Sequence, residues 1–136
     1  MNPPFPTRRC DIPQMFKAEA DPSRNLLTFT LHGPITKEEL IAHVPHVRSL
    51  IEQLESGFVF LTDLSGVESM EAECAAPIGE IMTLSNEKGV SEVLRVVPDP
   101  QKDIGFTVMS RFHYDRSVRI TTFDSLEDAL QSLASS

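Results

Sequence analysis

The sequence has few cysteines and no long apolar run, and both absences narrow the class of protein. Its two cysteines, Cys10 and Cys74, make neither a disulfide framework nor a metal-binding motif. No apolar stretch approaches the roughly 20 residues of a membrane span, and the first residues lack the apolar core of a secretory signal. We therefore expect a cytoplasmic protein with reduced thiols, no membrane span, and no metal or other cofactor.

Basic residues are also scarce. The 12 lysines and arginines are outnumbered by 20 acidic residues, which gives a net charge of −8. A surface of that sign repels nucleic-acid phosphates, so we expect no nucleic-acid partner. There is no glycine-rich phosphate loop either, because Gly66 and Gly79 stand alone.

The length and the apolar content of the chain suit one small domain. The chain has 136 residues, 40% of them apolar, which is enough for a single hydrophobic core. Residues 1–14 contain four prolines, which favours a loose N-terminal arm over a strand inside a sheet. We predict a single domain over residues 15–136.

Five strands are predicted from hydrophobic patterning. Residues 15–20 and the alternating residues 25–32 make an entry hairpin that Gly33 and Pro34 end. The apolar runs 58–64 and 93–97 are typical of buried parallel strands, and 118–123 is the last strand.

Four helices alternate with these strands. Thr36 and Glu39 form a capping box for the first helix, which Gly57 ends and which Pro45 should kink or break. The second covers 74–88, and the third runs from a capping Asp103 to Tyr114. Apolar residues predicted to face inward on the last two helices are Ile104, Val108, Phe112, Leu126, Ala129, Leu130 and Leu133. The order β-β-α-β-α-β-α-β-α predicts an α/β fold, a mixed sheet with an antiparallel entry hairpin and then parallel strands.

One segment resembles a known family. From Asp63 the chain reads Asp-Leu-Ser-Gly-Val-Glu-Ser-Met, and Asp63, Leu64, Val67 and Met70 match the segment that follows the third strand of STAS domains. Residues 123–130 are similar to the last strand and helix of that family. Over residues 15–134 the chain therefore resembles the STAS or SpoIIAA-like family of anti-sigma-factor antagonists. The resemblance implies a SpoIIAA-like fold and a non-enzymatic regulatory domain that binds an unidentified protein partner.

The chain departs from this family at the regulated serine. Phosphorylated members carry an Asp-Ser pair where the next helix begins, whereas this chain has Glu71 and Ala72. Alanine has no hydroxyl group, so that phosphoswitch cannot operate here. Some SpoIIAA-like proteins also resemble lipid-binding Sec14 domains. This leaves a small-molecule or lipid-binding module as an alternative, with Ile81, Met82, Met109 and Phe112 as lining candidates.

The first candidate surface follows the third strand. Ser65, Glu68, Ser69 and Glu71 come after Asp63, at the carboxyl end of a central strand, where open α/β sheets usually bind ligands. The structural alternative is turn chemistry, in which Asp63 and Ser65 bind nearby backbone amides.

A second candidate surface follows the next strand, where Asp99, Lys102 and Asp103 could bind a polar ligand. The structural alternative gives Asp103 only the role of a helix cap.

A third candidate surface lies at the end of the third helix, where Arg111 and His113 flank Phe112 in a recognition patch. The alternative there buries Phe112 and lets both basic residues complement the helix end.

Two further hypotheses remain at this point. An enzyme would require Asp63, Asp103 and His113 to converge on one concave site. The sequence also leaves a homodimer open.

Overall fold

The computed structural model describes residues 16–97 and 100–135, with backbone alone for 100–106 and 135. The predicted N-terminal arm, residues 1–14, lies outside these ranges. The described chain forms five strands and four helices in the predicted order. The bounds of the strands are β1 Phe16–Asp21, β2 Leu26–Ile35, β3 Val59–Met70, β4 Glu92–Val96 and β5 Arg119–Phe123. The bounds of the helices are α1 Lys37–Glu52, α2 Ala75–Lys88, α3 Pro100–His113 and α4 Leu126–Ser135.

The strands form one sheet in the order β1-β2-β3-β4-β5. β1 and β2 are antiparallel, and the other neighbouring pairs are parallel. This confirms the predicted mixed α/β sheet. β3 pairs with β4 only from Val59 to Asp63, whereas its pairing with β2 continues to Met70. The last part of β3 therefore extends past the end of β4.

β2 is longer than predicted, because it passes through Gly33 and Pro34 to Ile35. Register shifts on either side of Gly33, which has a φ of 77°, absorb the irregularity. In the described part of the chain β1 pairs with β2 only up to Leu31, so Pro34 lies where one side of β2 has no neighbouring strand. A proline is tolerated at such an edge because its missing N–H is not needed for pairing.

α1 begins as predicted and is continuous through Pro45, where a kink or a break was predicted. The Thr36 hydroxyl accepts from the Glu39 backbone N–H at 3.3 Å, and the Glu39 carboxylate accepts from the Thr36 N–H. The helix then runs unbroken through Pro45 and ends at Glu52, before Gly57. Its buried residues, Leu40, Val44, Val47 and Ile51, follow helical spacing, and burial of this apolar stripe offsets the hydrogen bond that Pro45 cannot make.

Apolar residues pack on both faces of the sheet. The larger core joins α1 and α2 to alternate strand residues such as Phe29 and Phe60, and Met109 and Tyr114 bring the α3 end of the chain to the same face. The smaller core lies on the other face, where Leu61, Leu94 and Val96 meet Ala129 of α4. A side chain on β3 or β4 therefore belongs to one face or the other by alternation.

The predicted inner faces of α3 and α4 are partly wrong. Val108 and Phe112 are 50% and 82% exposed, and Leu126 and Leu130 are 37% and 46% exposed. In the part of α3 whose side chains are described, residues 107–113, the buried residue is Ser110, and Tyr114 directly after the helix is buried as well, so the inner face there is rotated from the predicted one. Among residues 126–134 of α4 only Ala129 is fully buried, with Leu133 partly buried beside it. Ile104 lies in the part of α3 described by backbone alone.

Candidate functional site

A cavity of about 350 Å³ opens where β3 extends past β4. Its buried wall consists of Leu64, Ile78 and Val97, and Met70 and Met109 line its sides. The cavity exists because the chain after β4 leaves the sheet at Val97 while β3 continues beside β2 alone. This is the carboxyl end of parallel strands, the position at which α/β sheets usually bind ligands.

The polar rim of the cavity comes from the candidate segment after β3. Ser69, Glu71 and Ala72 line the cavity, and a short 3-10 helix, Ala72–Cys74, begins there and leads into α2. The Glu71 carboxylate accepts a hydrogen bond from the Lys37 backbone N–H at 3.0 Å. Glu71 therefore joins the start of α1 to the start of the 3-10 helix, and Ala72 is exposed beside it without a hydroxyl group.

Asp63 and Ser65 make the predicted turn contacts. The Asp63 carboxylate accepts from the Ser65 N–H at 3.0 Å and from the Ser65 hydroxyl at 2.7 Å. Asp63 pairs in register with Val96 of the smaller core, so it lies on the α4 face of the sheet. Ser65 and Glu68 are exposed and belong to the extension of β3 beyond residue 64, where the strand was predicted to end. Their role in recognition stays a prediction.

The second candidate surface is described only in part. Asp99 lies outside the described residues, and Lys102 and Asp103 belong to the first turn of α3, where only the backbone is described. The helix begins at Pro100, so the prediction that Asp103 caps it is wrong. Proline suits the first position of a helix because no intrahelical bond is needed from its nitrogen. The ligand role of these three residues stays a prediction.

At the end of α3, Arg111 and His113 face different surroundings. The His113 Nδ1 lies 3.0 Å from the Thr83 hydroxyl of α2, and its ring covers Gly79 of the same helix. His113 therefore ties α3 to α2, and it also lies with Arg111 in the last turn of α3, where both were predicted to complement the helix end. Arg111 is exposed. Their role in recognition stays a prediction.

Arg95, a buried polar residue beneath α3, was not among the residues predicted from the sequence. Arg95 is only 2% exposed, and its guanidinium donates to the Ser110 hydroxyl at 2.6 Å. Tyr114 lies close to Arg95 and Ser85, and burial raises the pKa of its hydroxyl well above the usual range. The available signal was the arginine itself, which interrupts the apolar run Val93–Val97 on a central strand. A buried charge at such a position requires polar partners.

The convergence that an enzyme hypothesis required does not occur for Asp63 and His113. His113 contacts α2, which packs on the larger core, whereas Asp63 faces the smaller core across the sheet. The grouping of Asp63 with His113 that this hypothesis required is therefore not found, and the side chain of Asp103 is not among those described. Among residues 16–97 and 100–135, no three His, Cys, Asp or Glu side chains are grouped as metal ligands. None of the helices in those ranges has the length and apolar character needed to cross a membrane.

An antiparallel entry hairpin, three further parallel strands and four helices define a SpoIIAA-like α/β fold. Similar solved structures include an uncharacterized DUF3478-family protein from Shewanella loihica with a SpoIIAA-like fold. The two chains share 17% identity over 87% of this chain and 91% of that one, with a TM-score of 0.64.

The anti-sigma factor antagonist SpoIIAA in its unphosphorylated form is also similar, with 12% identity over 88% and 97% of the two chains and a TM-score of 0.61. A putative anti-sigma factor antagonist from Thermotoga maritima has 16% identity over 88% and 95%, with a TM-score of 0.56. No family model and no curated protein matches the sequence. At these identities the similarity shows the fold.

Proposed function

We propose that this protein is a non-enzymatic regulatory domain that binds a partner protein through the surface around the end of β3 and the start of α2. The observation that carries the proposal is the exposed Ala72 at the start of the 3-10 helix, beside Glu71. A protein with this fold, the Bacillus cell fate determinant SpoIIAA, has been solved in a phosphorylated form. With alanine at the matching position, binding at this surface is not switched by a phosphoserine.

The chemistry of the surface supports a permanent recognition site. Glu68, Glu71 and Glu73 are exposed and lie within four residues of Ala72 along the chain, so this segment contributes three formal negative charges without any modification. Their like charges would repel an added phosphate at close range. A partner with basic side chains complements such a surface and gains association rate and specificity from it.

A pull-down from cells of the source organism tests this function. The tagged protein is compared with Glu68→Lys and with a matched control, Glu87→Lys, which reverses an exposed charge near the far end of α2. Glu68 is preferred to Glu71 because Glu71 bonds to the Lys37 backbone. We expect a specific protein that is retained by the control and lost with Glu68→Lys. Equal recovery with both variants, or no specific protein, overturns the proposal.

The cavity favours a second candidate function, the binding of a small apolar molecule or lipid. Among the residues named as lining candidates in the sequence, Met109 lines the cavity, whereas Ile81 and Met82 are buried in the larger core and Phe112 is exposed. The remaining described lining is mostly apolar, as is usual for pockets of this size.

Native mass spectrometry of the purified protein tests this second function. We expect an added mass that is released on unfolding and is reduced in Ala75→Phe, which fills the cavity from the first residue of α2. Ala76→Phe, at an exposed neighbouring position, is the control. An apo mass for the wild-type protein contradicts the idea.

A further inference from the structure

A second groove, of about 420 Å³, lies between the end of α3 and β5. Its floor includes Tyr114, Val118 and Ile120, and its rim carries the exposed Arg111 and Arg116. The groove lies away from the surface of the proposed function, because β5 is the last strand of the sheet and α3 ends at the amino-terminal side of the parallel strands.

The charge of this groove is opposite to that of the whole protein. The chain has a net charge of −8, yet both rim side chains are arginines. Among the side chains that the structure describes, which leave out those of residues 100–106, no carboxylate lies within ion-pair distance of either guanidinium. Asp115, an acidic residue that also lines the groove, accepts from the Ser117 backbone N–H at 3.0 Å. These local bonds hold the pKa of the Asp115 carboxyl below its usual range.

An exposed apolar strip adjoins the arginine side of the groove. Val108 precedes Arg111 by three residues and Phe112 by four, so the three side chains are neighbours on one face of α3. Phe112 is 82% exposed. Phenylalanine and arginine are both enriched in protein interfaces, and arginine is enriched among the residues that contribute most to binding.

We propose that this surface, Val108, Arg111, Phe112, Arg116 and the adjoining groove, binds a short acidic segment of a partner protein that also carries apolar side chains. Its carboxylates would meet the two arginines while its apolar side chains cover Phe112 and Val108. A nucleic acid suits the surface less well, because its long charged backbone would be repelled by the acidic remainder of the protein. The net charge of −8 also disfavours a second copy of the chain as the occupant.

Fluorescence anisotropy with a labelled synthetic peptide tests the proposal. The probe is a twelve-residue peptide of glutamate and leucine, and the comparison peptide has lysine in place of each glutamate. We expect binding of the acidic peptide alone, weakened by added salt because exposed charges are screened. The Arg111→Glu/Arg116→Glu variant should weaken binding about tenfold, since each reversal replaces an attraction with a repulsion.

Matched controls separate the patch from net charge. Arg24→Glu/Arg48→Glu makes the same change of charge at exposed positions in the β1–β2 turn and on α1. Phe112→Ser should weaken binding several-fold, whereas Ile41→Ser, at an exposed position on α1, should not. Glu68→Lys should retain binding to the acidic peptide, which distinguishes this site from that of the proposed function.

Three results overturn the proposal. The first is absence of binding by the acidic peptide. The second is an equal loss of affinity in both double variants. The third is self-association of the wild-type protein in sedimentation that the Arg111→Glu/Arg116→Glu variant abolishes, because a second copy would then be the occupant.

Discussion

The imidazole of His113 occupies the space that a side chain on Gly79 would need. A Cβ atom at Gly79 would lie 2.7 Å from the His113 Nε2, while the other ring nitrogen lies 3.0 Å from the Thr83 hydroxyl. The ring is therefore held between two positions of α2 that are four residues apart. Helices α2 and α3 approach each other at this point because one of them has no side chain there.

Gly79→Ala should destabilise the protein through this contact. Overpacking of a close contact typically costs about 1–3 kcal/mol, against a gain of about 1 kcal/mol in helix propensity. In a His113→Ala background the crowding is absent, so the same substitution should stabilise by up to about 1 kcal/mol. Urea unfolding of the four proteins measures this change of sign. Equal effects of Gly79→Ala in both backgrounds would show that the two residues are not coupled.

Ser110→Ala should lower stability because it removes an acceptor from a buried charge. The Arg95 guanidinium donates to Ser110 at 2.6 Å, and both residues are buried. Loss of a partner by a buried polar group typically costs about 1–3 kcal/mol. Ser49→Ala, at an exposed position of α1, is the control and should change the free energy of unfolding by only a few tenths of a kcal/mol. An equally small effect at Ser110 would contradict the prediction.

Pro45→Ala should stabilise the protein. The new N–H at position 45 can bond to the Ile41 carbonyl, one turn earlier in α1, and the position is exposed. A gain of about 2 kcal/mol is expected, somewhat less than the full helix cost of proline because proline also restricts the unfolded chain. Chemical denaturation measures it, with the adjacent exposed His46→Ala as the control. Destabilisation by Pro45→Ala would show that the helix depends on this proline.

His43 should make stability sensitive to mild acid. Its ring stacks on Phe16 with centroids 4.1 Å apart, and burial, followed by the charge of His46, lowers its pKa, although Glu39 acts in the opposite direction. The unfolded chain therefore takes up a proton at His43 more readily than the folded one. This contribution to stability should be intact above about pH 6.5 and should decline as the pH falls from there toward the lower folded pKa.

Two measurements check the His43 prediction. An NMR titration should place the imidazole pKa below its ordinary value of about 6.5. The difference in unfolding free energy between the wild type and His43→Gln should be smaller at pH 5 than at pH 7.5. A folded pKa at or above the ordinary value, or a difference that grows on acidification, would contradict it.

Local signals predicted the elements of the fold well. The capping box at Thr36 and Glu39 fixed the start of α1, and α2 ends at Lys88 as predicted, where Gly89 follows with a φ of 102°. These features depend on neighbouring residues alone. The strand end expected at Gly33-Pro34 was wrong, and α1 is not broken at Pro45, because packing and pairing with distant segments outweighed local cost.

The site was harder to predict, since it depends on which face each side chain occupies. Alternation along β3 places Asp63 on the α4 face, away from His113, and the rotation of α3 leaves Phe112 exposed. Hydrophobic spacing alone did not predict that rotation, because Ser110, not a larger apolar residue, faces the sheet to meet Arg95. Arg95 was not predicted as a functional residue, because the alternation of side chains along a strand does not show which residue of another element packs against each of them.

Because β3 extends past the end of β4, related chains could differ in the size and polarity of this cavity and still keep its opening. Its opening comes from a difference in length between two neighbouring strands, from Leu64 to Met70, and not from any one small side chain. Substitutions at wall positions such as Met70 or Met109 would therefore change the size and polarity of what fits there while the opening itself persists. Closing it entirely would take a longer β4, which is a change in chain path that point substitutions rarely achieve.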